Sequence, residues 1–209
     1  MKCKSDLRRA VLEERKRLPA QEIRRRGEAA GSHFVGLPEY ARARVVMFFV
    51  SFGSEIDTRP MIRQALADGK RVAAPRAEPR SRRLVACEIQ DPEQDLAPGA
   101  HDIREPKDYC PEVAPESIDV VVVPAAVWGE DGYRVGYGAG YYDRFLGEVE
   151  GAARVGLGLE LQVVREVPHD SHDLPVDMLV TETGVRRFRG RERESSRSDG
   201  EQEGNDGKR

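Results

Sequence analysis

The segment 136–145, GYGAGYYDRF, carries residue types that together could bind a phosphorylated ligand. Three glycines at alternate positions let backbone N–H groups approach an anion closely, and a helix starting directly after them would add unpaired N–H groups. Arg134 supplies a cation before the glycines, and Asp143 supplies a carboxylate after them that could hold Mg²⁺ together with phosphate oxygens. The GxGxG spacing matches neither the dinucleotide-binding GxGxxG motif nor the P-loop. A tight turn, with Asp143 complementing the helix dipole, is the simpler alternative.

The glycine segment lies between a predicted core strand and a predicted helix. The run 118–128, IDVVVVPAAVW, is the most apolar in the chain and predicts a central strand, whereas 141–149, YYDRFLGEV, predicts a helix. Open α/β sheets bind ligands at the carboxyl ends of their strands, so the glycines lie where a binding site is expected.

The rest of the chain predicts an α/β fold, a three-layer αβα sandwich with a mostly parallel central sheet. RVVMFFVSF (44–52) and KRVAAP (70–75) read as strands on either side of a helix that starts near Thr58 and ends at Gly69. This strand, helix, strand order favours a parallel pair with a right-handed crossover. Apolar spacing predicts two N-terminal helices, and three further runs predict strands; these segments are 4–18, 21–34, 83–89, 153–160 and 176–181.

Composition limits the classes of function. The chain has 209 residues, which favours one domain, assigned to 1–188, followed by a charged, Gly- and Ser-rich tail at 189–209 that is predicted to be disordered. Its 34 Lys and Arg against 37 Asp and Glu give a net charge of −3, which predicts no partnership with nucleic acid or a membrane. Three widely spaced cysteines and a charged N-terminus indicate a cytoplasmic protein, expected to be a monomer.

The run GYRVGYGAGYYDRFL resembles the signature of the 5-formyltetrahydrofolate cyclo-ligases, also called methenyltetrahydrofolate synthetases. KSDLRRAVLEERKRL, FVSFGSEIDTRPMIRQALADGKRVAAPR and HDLPVDMLVTE resemble other segments of that family, so the resemblance covers roughly residues 4–187. It implies an ATP- and Mg²⁺-dependent conversion of 5-formyltetrahydrofolate to 5,10-methenyltetrahydrofolate, with release of ADP and phosphate. It also implies a fold related to the sugar-phosphate isomerase and CoA-transferase-like folds.

The resemblance assigns roles to particular residues. The ATP contacts it implies are Lys4, Arg8, Arg134, Val135, Gly136, Tyr137, Gly138, Ala139, Gly140, Tyr141 and Tyr142, of which Arg134 and Tyr142 are also implied to be catalytic. The implied folate contacts are Val50, Phe52, Glu55 and Tyr141. The implied metal-side carboxylates are Asp143 and Asp177, with Asp173 as a competitor for the second position.

One departure from the family pattern lies in the glycine segment. Ala139 stands where glycine is common in bacterial members, and its methyl group should be tolerated unless the position requires positive φ.

Other functions remain open at this stage. A sheet of this kind also occurs in sugar-phosphate isomerases, for which Glu55 would be the general base, and in proteins that bind folate or phosphate without catalysis. The histidines and aspartates at 169–173 are interpreted as a polar loop rather than a zinc site. The N-terminal basic helix is a weak candidate for nucleic acid because glutamates interrupt it.

Overall fold

A computed structural model describes residues 3–99 and 103–188. The strands in chain order are Val45–Met47 (β1), Arg71–Glu78 (β2), Arg83–Ile89 (β3), Leu96–Pro98 (β4), Arg104–Pro106 (β5), Val120–Val123 (β6), Val127–Gly129 (β7), Arg134–Val135 (β8), Ala153–Leu157 (β9), Val163–Val164 (β10), Met178–Thr181 (β11) and Gly184–Arg187 (β12). The helices are Lys4–Arg17 (α1), Ala20–Val35 (α2), Pro38–Arg42 (α3), Arg59–Ala67 (α4) and Tyr141–Glu148 (α5). The predicted tail at 189–209 lies outside the described residues.

Within the described ranges, the central sheet has seven strands in the order β12-β11-β9-β6-β1-β2-β3. The pairs from β11 to β2 are parallel, and the two edge strands β12 and β3 are antiparallel to their neighbours. The predicted β1, α4, β2 unit is confirmed as a parallel pair. The mostly parallel sheet therefore agrees with the predicted α/β class.

Alternating residues of the buried strands form two separate cores, one on each face of the sheet. Val46 of β1 joins the core that Phe34 of α2 and Ile62 of α4 also occupy. Its neighbour Met47 points to the other face and joins the core that contains Phe145 of α5. Helices thus cover both faces of the sheet, which confirms the three-layer sandwich. No helix in the described part of the chain is long and apolar enough to cross a membrane.

The predicted strand at 118–128 is two strands in different sheets. β6 ends at Val123, and Pro124 has no N–H group to continue the ladder. The Nε2 atom of Gln162 donates hydrogen bonds to the carbonyl oxygens of Ala125 at 2.7 Å and Ala126 at 3.2 Å, which satisfies groups that the sheet no longer pairs. β7 then pairs with β8 and β10 in a small second sheet.

The second sheet imposes a packing requirement that can be tested. Trp128 of β7 is fully buried, and a Cβ atom at Gly156 of β9 would lie 2.6 Å from its ring. Gly156→Ala is therefore expected to lower the free energy of unfolding by about 1–3 kcal/mol, because the strand and the ring cannot both stay in place. Gly147→Ala, whose added methyl group meets open space at an exposed position of α5, should leave stability unchanged or raise it by up to about 1 kcal/mol. Urea denaturation of both variants checks this, and equal stabilities would contradict it.

Candidate functional site

A cleft of about 870 Å³ opens at the carboxyl ends of the parallel strands β1, β2 and β6. The residues just after β1, the second half of β2 and Pro124 after β6 form one side, and the glycine segment with the start of α5 forms the other. The cleft brings together every candidate residue from the sequence except Asp177. Its lining includes Lys4, Arg8, Val50, Phe52, Glu55, the whole of 134–143, and Asp173.

The glycine segment is held by arginines at both ends. Arg8 of α1 donates from Nε to the carbonyl oxygen of Gly136 at 2.8 Å, and Arg144 of α5 donates to that of Ala139 at 2.8 Å. Gly138 and Gly140 have φ values of +113° and +66°, a region that favours glycine. Ala139 has no positive φ, so its methyl group is accommodated without backbone strain. Gly140 is the N-cap of α5, whose first N–H groups therefore lie beside the cleft.

Arg134 and Asp143 form an ion pair at the base of this segment. One guanidinium nitrogen of Arg134 lies 2.6 Å from Oδ1 of Asp143, and the other donates to the carbonyl oxygen of Leu174 at 2.6 Å. The Arg134 side chain is only 4% exposed, and burial lowers its pKa while the charge of Asp143 opposes that change. Asp143 is 26% exposed, so its carboxylate remains partly open to the cleft.

A second group of charges lies where α1 meets the loop before β11. Nζ of Lys4 contacts Oδ2 of Asp173 at 2.6 Å and Oδ2 of Asp170 at 2.8 Å. Burial alone would lower the pKa of Lys4, but the bonds to the two carboxylates raise it overall. Asp170, His172 and Asp173 could also hold a metal ion, since their ligand atoms lie within 4.8 Å of one another. Exposed acidic groups commonly cluster in this way without an ion, and here Lys4 already neutralises part of the charge.

Glu55 lies at the other side of the cleft in a hydrogen-bonded network. The Tyr137 hydroxyl donates a hydrogen bond to Oε1 of Glu55, and the backbone N–H of Phe52 donates to Oε2 at 3.1 Å. Arg15 of α1 donates to the Tyr137 oxygen at 3.2 Å. The rings of Tyr137 and Phe52 pack with centroids 5.2 Å apart. Burial raises the pKa of Glu55, and Tyr137, Phe52 and Arg15 oppose that rise. The sequence alone does not identify Arg15, which looks there like one more charge on a basic helix.

Tyr142 carries a buried hydroxyl with no hydrogen-bond partner in the described part of the chain. Burial raises the pKa of this hydroxyl, so it is a neutral O–H group throughout the physiological range. The residue lines the cleft, so a bound ligand could supply the missing acceptor. An unpaired buried donor costs about 1–3 kcal/mol, and a ligand that accepted from this hydroxyl would remove that cost on binding. Nε1 of Trp128 is likewise buried without a partner among the described residues, but Trp128 does not line the cleft.

Asp177 does not lie in the cleft, contrary to its expected place beside the metal. It precedes β11, at the amino end of a parallel strand, whereas the cleft is at the carboxyl ends. Its Oδ2 accepts a hydrogen bond from the backbone N–H of Arg154 at 2.7 Å, at the start of β9. Asp173, the competing candidate, does line the cleft.

The fold and the cleft define a class: an α/β protein with a mostly parallel sheet, whose cleft at the carboxyl ends of the strands is lined by a glycine loop, by cations and by a buried carboxylate. A family model described as the 5-formyltetrahydrofolate cyclo-ligase family matches residues 1–182. The chain belongs to the 5-formyltetrahydrofolate cyclo-ligase family.

Individual relatives agree with this assignment. The chain is 31% identical over 178 residues to the 5-formyltetrahydrofolate cyclo-ligase of Escherichia coli K12, covering 84% of this chain and 98% of the relative. The solution structure of Aquifex aeolicus 5,10-methenyltetrahydrofolate synthetase is similar, with a TM-score of 0.80, 36% identity, and coverage of 94% of this chain and 98% of the other. A 5,10-methenyltetrahydrofolate synthetase from Mycoplasma pneumoniae shares the fold, with a TM-score of 0.70, 18% identity, and coverage of 86% and 98%.

Proposed function

We propose that this protein converts 5-formyltetrahydrofolate to 5,10-methenyltetrahydrofolate with consumption of ATP. The observation that carries the proposal is a single cleft with two chemically different sides. The glycine segment and the cations Lys4, Arg8 and Arg134 form one side, and Glu55 with apolar residues forms the other. The side chain of Tyr137 joins the two by its hydrogen bond to Glu55. Phosphoryl transfer between two substrates requires both to be held in one enclosure, and membership of the family points to the same reaction.

The glycine side is suited to the triphosphate. Arg8 has no carboxylate partner in the described ranges, so its remaining N–H groups can reach phosphate oxygens. The N–H groups at the start of α5 and the positive end of its dipole add to the positive electrostatic potential around the phosphates. We assign Lys4, Arg8 and residues 134–142 to the nucleotide, the last through the backbone alone at Tyr137, because the side chain of Tyr137 turns to Glu55.

The Glu55 side is suited to the pterin ring. A carboxylate can accept two neighbouring N–H groups, which the ring presents at its 2-amino group and adjacent ring nitrogen. Phe52 and Tyr137 supply aromatic surface beside Glu55, and Val50 and Tyr141 also line the cleft. Tyr141 lines the cleft, and the family resemblance assigns it to both substrates, so we propose that the formyl group and the terminal phosphate meet beside it.

The proposed chemistry has two steps. The formyl oxygen attacks the terminal phosphorus of ATP, the bond from that phosphorus to the bridging oxygen breaks, and ADP leaves. Nitrogen 10 then attacks the activated formyl carbon, loses its proton, and the carbon–oxygen bond breaks to release phosphate. Arg134 would stabilise charge on the transferred group, and the Tyr142 O–H would donate to an oxygen that becomes negative.

The side chains in the cleft fit a magnesium ion. Mg²⁺ takes oxygen ligands and usually binds through one or two carboxylates together with substrate phosphates. Asp143 and Asp173 offer such oxygens in the cleft, and the buried charge of Arg134 interacts with both. When bound, the ion would neutralise charge on the phosphates. We propose Asp143 as its principal protein ligand, with Asp173 rather than Asp177 as the second.

The decisive experiment measures the near-ultraviolet absorbance of methenyltetrahydrofolate when purified protein is mixed with 5-formyltetrahydrofolate. We expect the signal to grow with Mg-ATP and not with ATP plus a chelator. Folate binding without turnover would instead indicate a non-catalytic folate-binding protein, and no binding of either ligand would refute the proposal.

Arg8 gives a direct test of the nucleotide assignment. Arg8→Ala removes a charged donor, so the KM for ATP should rise by about tenfold or more, with little change in the KM for folate. Arg9→Ala is the matched control, because Arg9 is the adjacent exposed arginine and pairs only with Asp6 among described residues. Initial rates at varied ATP measure both variants. Equal KM values for ATP would remove Arg8 from the nucleotide site.

A further inference from the structure

Arg15 is a buried cation without a carboxylate partner in the described part of the chain. Only 3% of the residue is exposed, and the hydrogen bonds of its side chain go to Oγ of Ser54 at 3.0 Å and the Tyr137 oxygen at 3.2 Å. Burying a charge that is not directly paired is costly, so an arginine in this position needs an explanation. Glu55 is the nearby opposite charge, and it is reached through Tyr137.

The network has a defined direction because arginine can only donate hydrogen bonds. The Tyr137 oxygen must accept from Arg15, so its own hydrogen is free to point to Oε1 of Glu55. The Phe52 N–H occupies one position on Oε2. An ionised carboxylate accepts about four hydrogen bonds, so about two remain for a ligand in the cleft. A protonated Glu55 would donate instead, and it would conflict with the Tyr137 hydroxyl or with a ligand N–H.

The charges around Glu55 show what favours its ionised form. Burial raises its pKa; the opposing groups are Tyr137 from the glycine segment, the Phe52 N–H, and the charge of Arg15 from α1. Tyr142 of α5 also faces Glu55, but its hydroxyl is neutral and offers no compensating charge. Arg15 is therefore the one cation among the described groups that counteract the burial of this carboxylate.

We propose that Arg15 and Tyr137 are positioning residues for folate recognition, which keep the buried carboxylate of Glu55 ionised and oriented to accept N–H groups of the pterin ring. The inference rests on the proposed function, since it takes the ring to be the ligand of Glu55. It extends that function to a residue outside the cleft, Arg15, which acts through a hydroxyl and does not touch the substrate.

Tyr137→Phe and Arg15→Met test this relay, the hydrogen-bonded chain from Arg15 through the Tyr137 hydroxyl to Glu55. Each should raise the KM for 5-formyltetrahydrofolate by roughly 10- to 100-fold, the effect of losing a charge-assisted hydrogen bond, while the KM for ATP changes little. The pKa of Glu55 should rise further in both, and only its ionised form binds. The acid limb of the kcat/KM profile for folate should therefore move to higher pH, and activity should be lost earlier as pH falls. Arg15→Lys, which keeps the charge, should move the acid limb part of the way back toward its wild-type position.

Tyr40→Phe is the matched control, because Tyr40 is also buried and also donates to a carboxylate, Asp68, away from the cleft. It should change stability without moving the pH profile. If the wild-type enzyme forms methenyltetrahydrofolate but Tyr137→Phe keeps the wild-type acid limb and folate KM, the relay is refuted while the function stands. If the wild-type forms no product, the proposed function fails first, and pH-dependent folate binding to wild-type and Tyr137→Phe still tests the relay.

Discussion

Asp143→Asn is expected to lower kcat by on the order of 100-fold or more, and to raise the Mg²⁺ concentration needed for half-maximal rate. The substitution keeps the shape of the side chain but removes a charge from the cleft and from the ion pair with Arg134. Arg134 would then be a buried cation without its carboxylate partner, so the site would lose both the proposed metal ligand and the group that fixes Arg134. Initial rates over a range of free Mg²⁺ measure both effects.

Asp177→Asn is the control that separates the two carboxylates named from the sequence. Asp177 binds the Arg154 backbone at the amino end of the sheet, so its replacement should reduce stability and leave the Mg²⁺ dependence unchanged. Asp173→Asn should raise the Mg²⁺ requirement, although less than Asp143→Asn, because Lys4 holds Asp173 in an ion pair. A normal Mg²⁺ response in Asp143→Asn would remove Asp143 from the metal site.

The layers of the fold can be predicted from the sequence because its apolar runs are long. The helix α4 and the strand β3 agree closely with their predicted positions, since buried strands and capped helices leave strong local patterns. The small second sheet is not predicted, because β8 and β10 have two residues each and no periodicity can appear over that length. The run at 44–52 is predicted as one strand, but only β1 within it pairs as a strand, whereas Phe49, Val50 and Phe52 line the cleft.

The site is predictable where one segment carries it and not where distant segments meet. The glycine segment and Asp143 are adjacent in sequence, so their chemistry can be inferred from that stretch alone. Arg15 and Tyr137 are 122 positions apart, and nothing local distinguishes Arg15 from the exposed arginines around it. The location of Asp177 outside the cleft can be inferred from the sequence. A residue at the start of a parallel strand lies at the amino end of the sheet, opposite the edge at which ligands bind.

Tyr142→Phe is expected to separate stability from catalysis. The hydroxyl is buried without a partner among the described residues, so its removal should raise the free energy of unfolding by about 1 kcal/mol, and Tm by about 2–4 °C for a chain of this size. If the hydroxyl donates to the reacting oxygen, as we propose, the same change should lower kcat by roughly 10- to 100-fold, since one preorganised donor is lost. A more stable but slower enzyme would be the result.

The prediction for Tyr142→Phe combines a rise in Tm with a fall in kcat, and few unrelated effects of a substitution would produce both. A substitution that merely disturbed packing would lower Tm and kcat together. Tyr109→Phe, at an exposed tyrosine whose hydroxyl already donates to Asp95, should change neither kcat nor Tm by much. If Tyr142→Phe gains stability and keeps full kcat, the hydroxyl has no part in the chemistry, and charge on the transferred group would be stabilised by Arg134 and the α5 N–H groups alone. Comparing Tyr142→Phe with the wild type therefore measures what the unpaired hydroxyl costs in folding stability and what it contributes to kcat.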